Sequence, residues 1–163
     1  MNQDEFLEQL VSEQDSLQFS RFDFDDAFAI GLDLVETARK DKLMITVDVA
    51  INGQQLFHAA LPGTSPDNDQ WVARKNRVVG HFFRSSYYIA KFLEAKDKSI
   101  EDVFGLPSRD FAPFGGAVPV MLKGTGVIGT VTVSGLPHQE DHRMVIEAIR
   151  RHLERREAAI RPG

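Results

Sequence analysis

Leu43-Met44-Ile45-Thr46-Val47-Asp48-Val49-Ala50-Ile51-Asn52-Gly53-Gln54-Gln55-Leu56-Phe57-His58-Ala59-Ala60-Leu61 is the stretch that decides the fold class. Its first half is rich in β-formers, with Val47 and Val49 flanking Asp48. Asn52-Gly53 then supplies two residues that tolerate positive φ, the strongest short hairpin signal, and Gln54 to Leu61 reads as the returning strand. A turn this tight joins antiparallel neighbours only. A second hairpin lies further on. Gly115-Gly116 open a strand through Val118, Val120 and Leu122, Lys123-Gly124-Thr125-Gly126 turn the chain, and Val127 to Val133 return. Two such hairpins exclude a doubly wound parallel sheet.

Helical spacing fills the remainder. Asp4 to Gln14 puts Phe6, Leu7, Leu10 and Val11 on one face, so residues 1–16 form an N-terminal helical extension. Leu17 to Ser20 alternates like a brief strand. Asp23 or Asp25 caps a helix reaching Lys40, with Phe24, Phe28, Gly31, Leu32, Val35 and Ala38 as its core stripe. After the loop Pro62 to Asn68, one long helix is predicted from about Gln70 to Ala95, burying Trp71, Lys75, Val78, Val79, Phe82, Ser86, Ile89, Ala90 and Leu93. Ser99 to Phe104 is one further helical turn. Ser134-Gly135-Leu136-Pro137 breaks into the last helix, whose core stripe is Val145, Ile146, Ala148, Ile149, His152 and Leu153. The order is α-β-α-β-β-α-β-β-α: a single α+β domain over residues 1–163, an antiparallel sheet flanked by helices.

Composition narrows the function classes. The 163 residues include no cysteine, which excludes disulfides, thiolate metal sites and cysteine nucleophiles and suits a cytoplasmic location. A net charge of −5 speaks against nucleic acid as partner. No apolar window is long enough for a membrane span, and the acidic N-terminus carries no signal-peptide pattern. Positive residues gather at Arg74, Lys75, Arg77, His81 and Arg84, and again from Arg143 to Arg161, so a local anion site is compatible with the balance.

No recognisable catalytic signature is present. His138 and His142 stand at i, i+4, a spacing that can converge on a metal with His58 as a distant third ligand, but an ordinary polar helix start explains them better. The turn Ser134-Gly135-Leu136-Pro137 before a helix offers backbone N–H groups to an anion. Lys75 falls on an apolar stripe, where a charge needs a partner or a ligand, and Asp141 and Asp48 are the candidate partners. Gly115-Gly116 and Gly124-Thr125-Gly126 precede strands, so they are turn and close-packing glycines, not a dinucleotide fingerprint.

With those segments in place, the chain resembles the GlcG/HbpS-like family, the haem-degrading domain family. The resemblance spans roughly Phe24 to Leu153. It rests on Val47-Asp48, Ala73-Arg74-Lys75, Gly115-Gly116-Ala117-Val118-Pro119-Val120, Gly126-Val127-Ile128-Gly129, Val133-Ser134-Gly135, and Gln139, Asp141 and His142. Leu61-Pro62-Gly63-Thr64, Asp67-Asn68, Trp71 and Ser85-Ser86 make it most similar to the family's poorly characterised UPF branch. The resemblance implies a profilin-like or PAS-like fold and homo-oligomeric assembly. The haem-binding relatives carry an Arg-hydrophobic-Asp-Gly run after the first hairpin, where this chain has Ala60-Leu61-Pro62-Gly63.

The leading expectation is a cytosolic, non-catalytic domain that binds a small anionic ligand, or a protein partner, beside the long and final helices. Its site residues are Trp71, Arg74, Lys75, Gly115, Gly116, Ser134, Gly135, Asp141 and His142. Haem binding or degradation with His58, His138 or His142 as axial ligand is one alternative, and a structural homo-oligomeric adaptor is another.

Overall fold

Valines at every second position of β2 (Thr46–Ile51), β4 (Ala117–Leu122) and β5 (Gly126–Ser134) give the sheet one apolar face, with Val47, Val49, Val118, Val120, Val131 and Val133 all buried. The positions between them are Thr46, Asp48, Thr130, Thr132 and Ser134, also buried, so the other face is polar and yet covered. This computed structural model describes residues 1–160; the predicted boundary at residue 163 and the positive charge at Arg161 lie outside the described residues.

Five strands form one sheet in the order β1-β4-β5-β2-β3, with β1 at Gln18–Phe19 and β3 at Gln54–Ala60. Both predicted hairpins are present and antiparallel: β2 pairs β3 across Asn52-Gly53, at φ 50° and 80°, and β4 pairs β5. One pairing departs from the all-antiparallel expectation, because β1 runs parallel to β4 through Gln18↔Met121 and Phe19↔Leu122. β1 pairs only the end of β4, and the hydroxyl of Ser86 accepts from the Ala117 N–H and donates to its carbonyl, so Pro119 sits between them on the sheet edge, where a missing N–H is tolerated.

Helices α2 (Phe24–Lys40) and α6 (His138–Ile160) cover the valine face. The stripe of α6 is the predicted one. The stripe of α2 is the predicted one only in part: Gly31 and Ala38 are buried and Val35 packs on the core, but Ala27, Ile30 and Leu34 are buried in place of Phe24, Phe28 and Leu32, which are 61%, 51% and 51% exposed. Both sets of residues keep helical spacing; the buried face is rotated toward Ala27, Ile30 and Leu34, with Gly31 and Ala38 shared by both. A Cβ on Gly31 would lie 2.3 Å from the Phe57 ring. Asp26 is held on this face by His152, 2.8 Å away, and by Arg156.

The predicted long helix is two. α3 (Pro66–Phe82) ends where Phe83 turns left-handed at φ 57°, and α4 (Ser86–Lys96) starts afresh with Ser85 as its cap, Oγ accepting from the Tyr88 N–H. Apolar periodicity runs through the break, so it conceals it. Ser85-Ser86 carried the signal, since serine is a preferred cap. From α1 (Gln3–Asp15), Gln14 fastens the junction: its amide donates to the Phe83 carbonyl at 3.0 Å and accepts from the Ser85 N–H at 3.0 Å. The packing of α3, α4 and α5 (Ile100–Phe104) buries Val78, Ile89, Leu93 and Ile100 in a second, smaller core. Phe6 meets Tyr87 edge-on at 6.2 Å, and Tyr87 is buried while Phe83 is exposed.

Candidate functional site

The polar face of the sheet dictates what α3 brings to it. Asn76 donates to Asp48 at 3.3 Å and accepts from Thr132, and Lys75 donates to the Val133 carbonyl at 3.2 Å and to Asp141 Oδ2 at 3.1 Å. Lys75 is 3% and Asp141 1% exposed. The predicted partner is therefore Asp141; Asp48 instead faces Gln55, His58 and Asn76. Burial pulls the Lys75 ammonium below its ordinary value against the attraction of Asp141, and burial likewise pushes the Asp141 carboxyl up. Both shifts have one cause, desolvation that the pair's own attraction does not fully offset.

A cavity of about 370 Å3 opens above this pair, between the first turns of α3 and the β5–α6 turn. Trp71 and Phe114 form an aromatic wall, packed edge to face at 5.4 Å, and Asp67, Asn68, Ser134, Gly135, Leu136 and His138 complete the lining. Gly116, at φ 139°, keeps the floor open: a Cβ there would lie 2.3 Å from the Val133 carbonyl and 2.8 Å from Lys75 Nζ. Gly115 has a different task. Its N–H donates to His138 Nδ1 at 3.1 Å, which places the proton of the neutral ring on Nε2 and makes that nitrogen a donor. Burial, then the charges of Lys91 and Lys75, hold His138 below its ordinary pKa and keep it neutral.

Of the expected site residues, Trp71, Lys75, Ser134, Gly135 and Asp141 line the cavity, while Gly115 and Gly116 do not line it but pack closely on lining residues, Gly115 on His138 and Gly116 on Lys75 and Asp141. Arg74 does not line it; its guanidinium stacks 4.8 Å over the Trp71 ring and donates to the Ser108 carbonyl. His142 lies beneath, stacked on Tyr87 at 4.8 Å with Nε2 2.8 Å from Glu13. The expected anion cradle is filled by the chain itself. Asp141 accepts from the Leu136 N–H at 2.9 Å and the Gly135 N–H at 3.3 Å, so the carboxylate occupies the turn an external anion would have used. Phe114 and the wall role of His138 were missed by sequence reasoning, because a loop aromatic has no periodicity to place it.

The three histidines do not converge. His58 bridges Asp48 at 2.9 Å and Asp69 at 2.7 Å. Burial alone draws its pKa down, but the hydrogen bonds and charges of the two carboxylates outweigh it and raise the pKa above the ordinary value. His138 and His142 have the separate partners given above, and among the described residues no group of three or more His, Cys, Asp or Glu side chains could hold a metal ion. Nor is any described helix long and apolar enough to cross a membrane.

Comparison with known proteins places this architecture. A family described as "Haem degrading protein HbpS-like" matches residues 22–150. The UPF0303 protein SCO2848 of Streptomyces coelicolor is 47% identical over 145 residues, covering 89% of this chain and 92% of the relative. The crystal structure of the Ybr137w protein superposes with a TM-score of 0.85 at 28% identity, covering 91% of this chain and 88% of that one. A PduOC:haem complex superposes at 0.66 with 15% identity, covering 79% and 93%, a likeness of fold alone.

Proposed function

Because the chain belongs to the HbpS-like family, and because its cavity has an aromatic wall above a buried lysine, we propose that it is a small-ligand-binding domain. The observation that carries this reading is the donor set left over. An ammonium has three donors; Lys75 spends one on Val133 and one on Asp141, leaving one, and His138 offers Nε2–H. A compact ring carrying a single acidic or carbonyl head matches that set, with the ring against Trp71 and Phe114. A volume of about 370 Å3 is at the small end of ligand pockets, which span roughly 300–1,000 Å3. Asp67 in the lining disfavours multiply charged anions.

The candidate axial histidines suit haem poorly. A histidine ligand must turn an unprotonated ring nitrogen to the iron. Both nitrogens of His58 are engaged by carboxylates, the Nδ1 lone pair of His138 is taken by the Gly115 N–H so that Nε2 keeps the proton, and His142 is buried under Tyr87. The ligand reading thus departs from the family description. The exposed Phe24, Phe28 and Leu32 favour a second reading alongside the first, self-assembly into a homo-oligomer through the outer face of α2. The absence of cysteine supports a cytoplasmic setting.

Trp71 is the sole tryptophan, so its fluorescence reports on the cavity directly. Titration with benzoate should give saturable quenching that benzamide reproduces more weakly and Lys75→Met removes. Absence of saturable quenching by either compound rejects the cavity as a site for small aromatic acids.

A further inference from the structure

Lys75 is the one lysine of this chain that is buried; the other six are exposed or half-exposed. Lys75 lines the cavity, and its Nζ is fixed from two sides by Val133 and Asp141. The absence of a side chain at residue 116 leaves the space around Nζ clear. The carboxylate beside it is itself anchored by two backbone N–H groups, so it stays in place when the amine reacts. An amine, an adjoining carboxyl and an open chamber with an aromatic wall are the parts needed to condense with a carbonyl compound.

We propose that Lys75 captures small aromatic aldehydes and ketones reversibly as an imine within this cavity, with Asp141 as the proton carrier. The proposal rests on the small-ligand reading above and adds covalent chemistry to it. Lys75 first passes a proton to Asp141, converting an ion pair into a neutral amine and a carboxylic acid. The amine lone pair attacks the carbonyl carbon as the C=O π pair moves to oxygen, and a proton shifts from nitrogen to that oxygen to give a carbinolamine. Asp141 returns its proton to the hydroxyl, which leaves as water while the nitrogen lone pair closes a protonated C=N bond. One carbonyl compound and one lysine ammonium become one iminium ion and one water, with no oxidant or reductant. Desolvation favours the first step, since it weakens the charged form of both partners. Trp71 and Phe114 hold the aryl group, and His138 Nε2–H is a donor for the carbonyl oxygen as it gains charge.

The test is reductive trapping of the native protein. Benzaldehyde with cyanoborohydride, followed by peptide mass mapping, should benzylate Lys75 roughly tenfold or more faster than the surface lysines, because the bound carbonyl meets a positioned amine. Benzoate should protect Lys75 alone, and unfolding in urea should make all the lysines react alike. Asp141→Asn should slow trapping at Lys75 without altering the surface sites. Lys75 labelled no faster than the surface lysines would overturn the proposal without any variant having to fold. If benzoate quenches Trp71 while benzaldehyde leaves Lys75 untouched, the covalent step fails and the binding reading stands. If neither compound acts, both fail.

Discussion

Replacing Asp141 by leucine removes the carboxylate paired with Lys75 and tests what holds the cavity floor together. The variant leaves the ammonium buried with a single partner, the Val133 carbonyl at 3.2 Å, and releases the Gly135 and Leu136 N–H groups. Breaking a buried pair from one side costs about 3–5 kcal/mol. The two amides border the cavity, where water can reach them, so they add little, and about 4 kcal/mol is expected in all. In a chain of this size that is a Tm fall of roughly 8–16 °C. Lys75→Met is milder, about 2 kcal/mol, because Asp141 keeps both amide donors. The double variant removes both charges and should cost about 2 kcal/mol, well short of the sum of the singles. Urea unfolding of all four proteins supplies the cycle. The deficit of Asp141→Leu should also shrink as pH rises. Asp141 raises the Lys75 pKa against burial, so without it the folded value falls further below the unfolded one; between that folded value and about 10.5 the unfolded chain binds more protons, and the variant gains stability with pH faster than the unaltered protein. Equal costs for the two singles, or additivity within about 0.5 kcal/mol, would refute the account of the pair.

His58 gives a second pH signature. Its pKa is raised in the folded state, so its contribution is complete below about pH 6.5 and is lost as pH climbs through the folded value; His58→Gln should flatten that part of the stability profile measured by urea melts. His138 has the opposite sign: its folded pKa is depressed, so its contribution is present above about pH 6.5 and lost on acidification, and His138→Phe should remove that acid-side slope. Phe28→Glu on the exposed stripe of α2 should lower the mass seen by light scattering while leaving the circular-dichroism spectrum unchanged. A monomer mass for the unaltered protein at micromolar concentration would reject assembly through this face.

Local chemistry alone determined the two hairpins, the capped starts of α2 and α5, the α6 stripe and the need of Lys75 for a partner. Turn residues, caps and charges act over a few positions, so they are readable without the rest of the chain. Family-specific residues such as Trp71, Lys75, Gly116 and Asp141 also marked one region of the fold. Only the tertiary structure decided how far the buried face of α2 is rotated, taking Ala27, Ile30 and Leu34 inward and leaving Phe24, Phe28 and Leu32 outside, because both sets share the helical period. It alone broke the long helix at Phe83, where Gln14, some 70 residues away in sequence, satisfies the freed backbone groups. And it alone showed that the turn before α6 is occupied by Asp141 and that Phe114 walls the cavity. These are contacts between segments far apart in the chain, and periodicity within a segment holds no information about what packs against it.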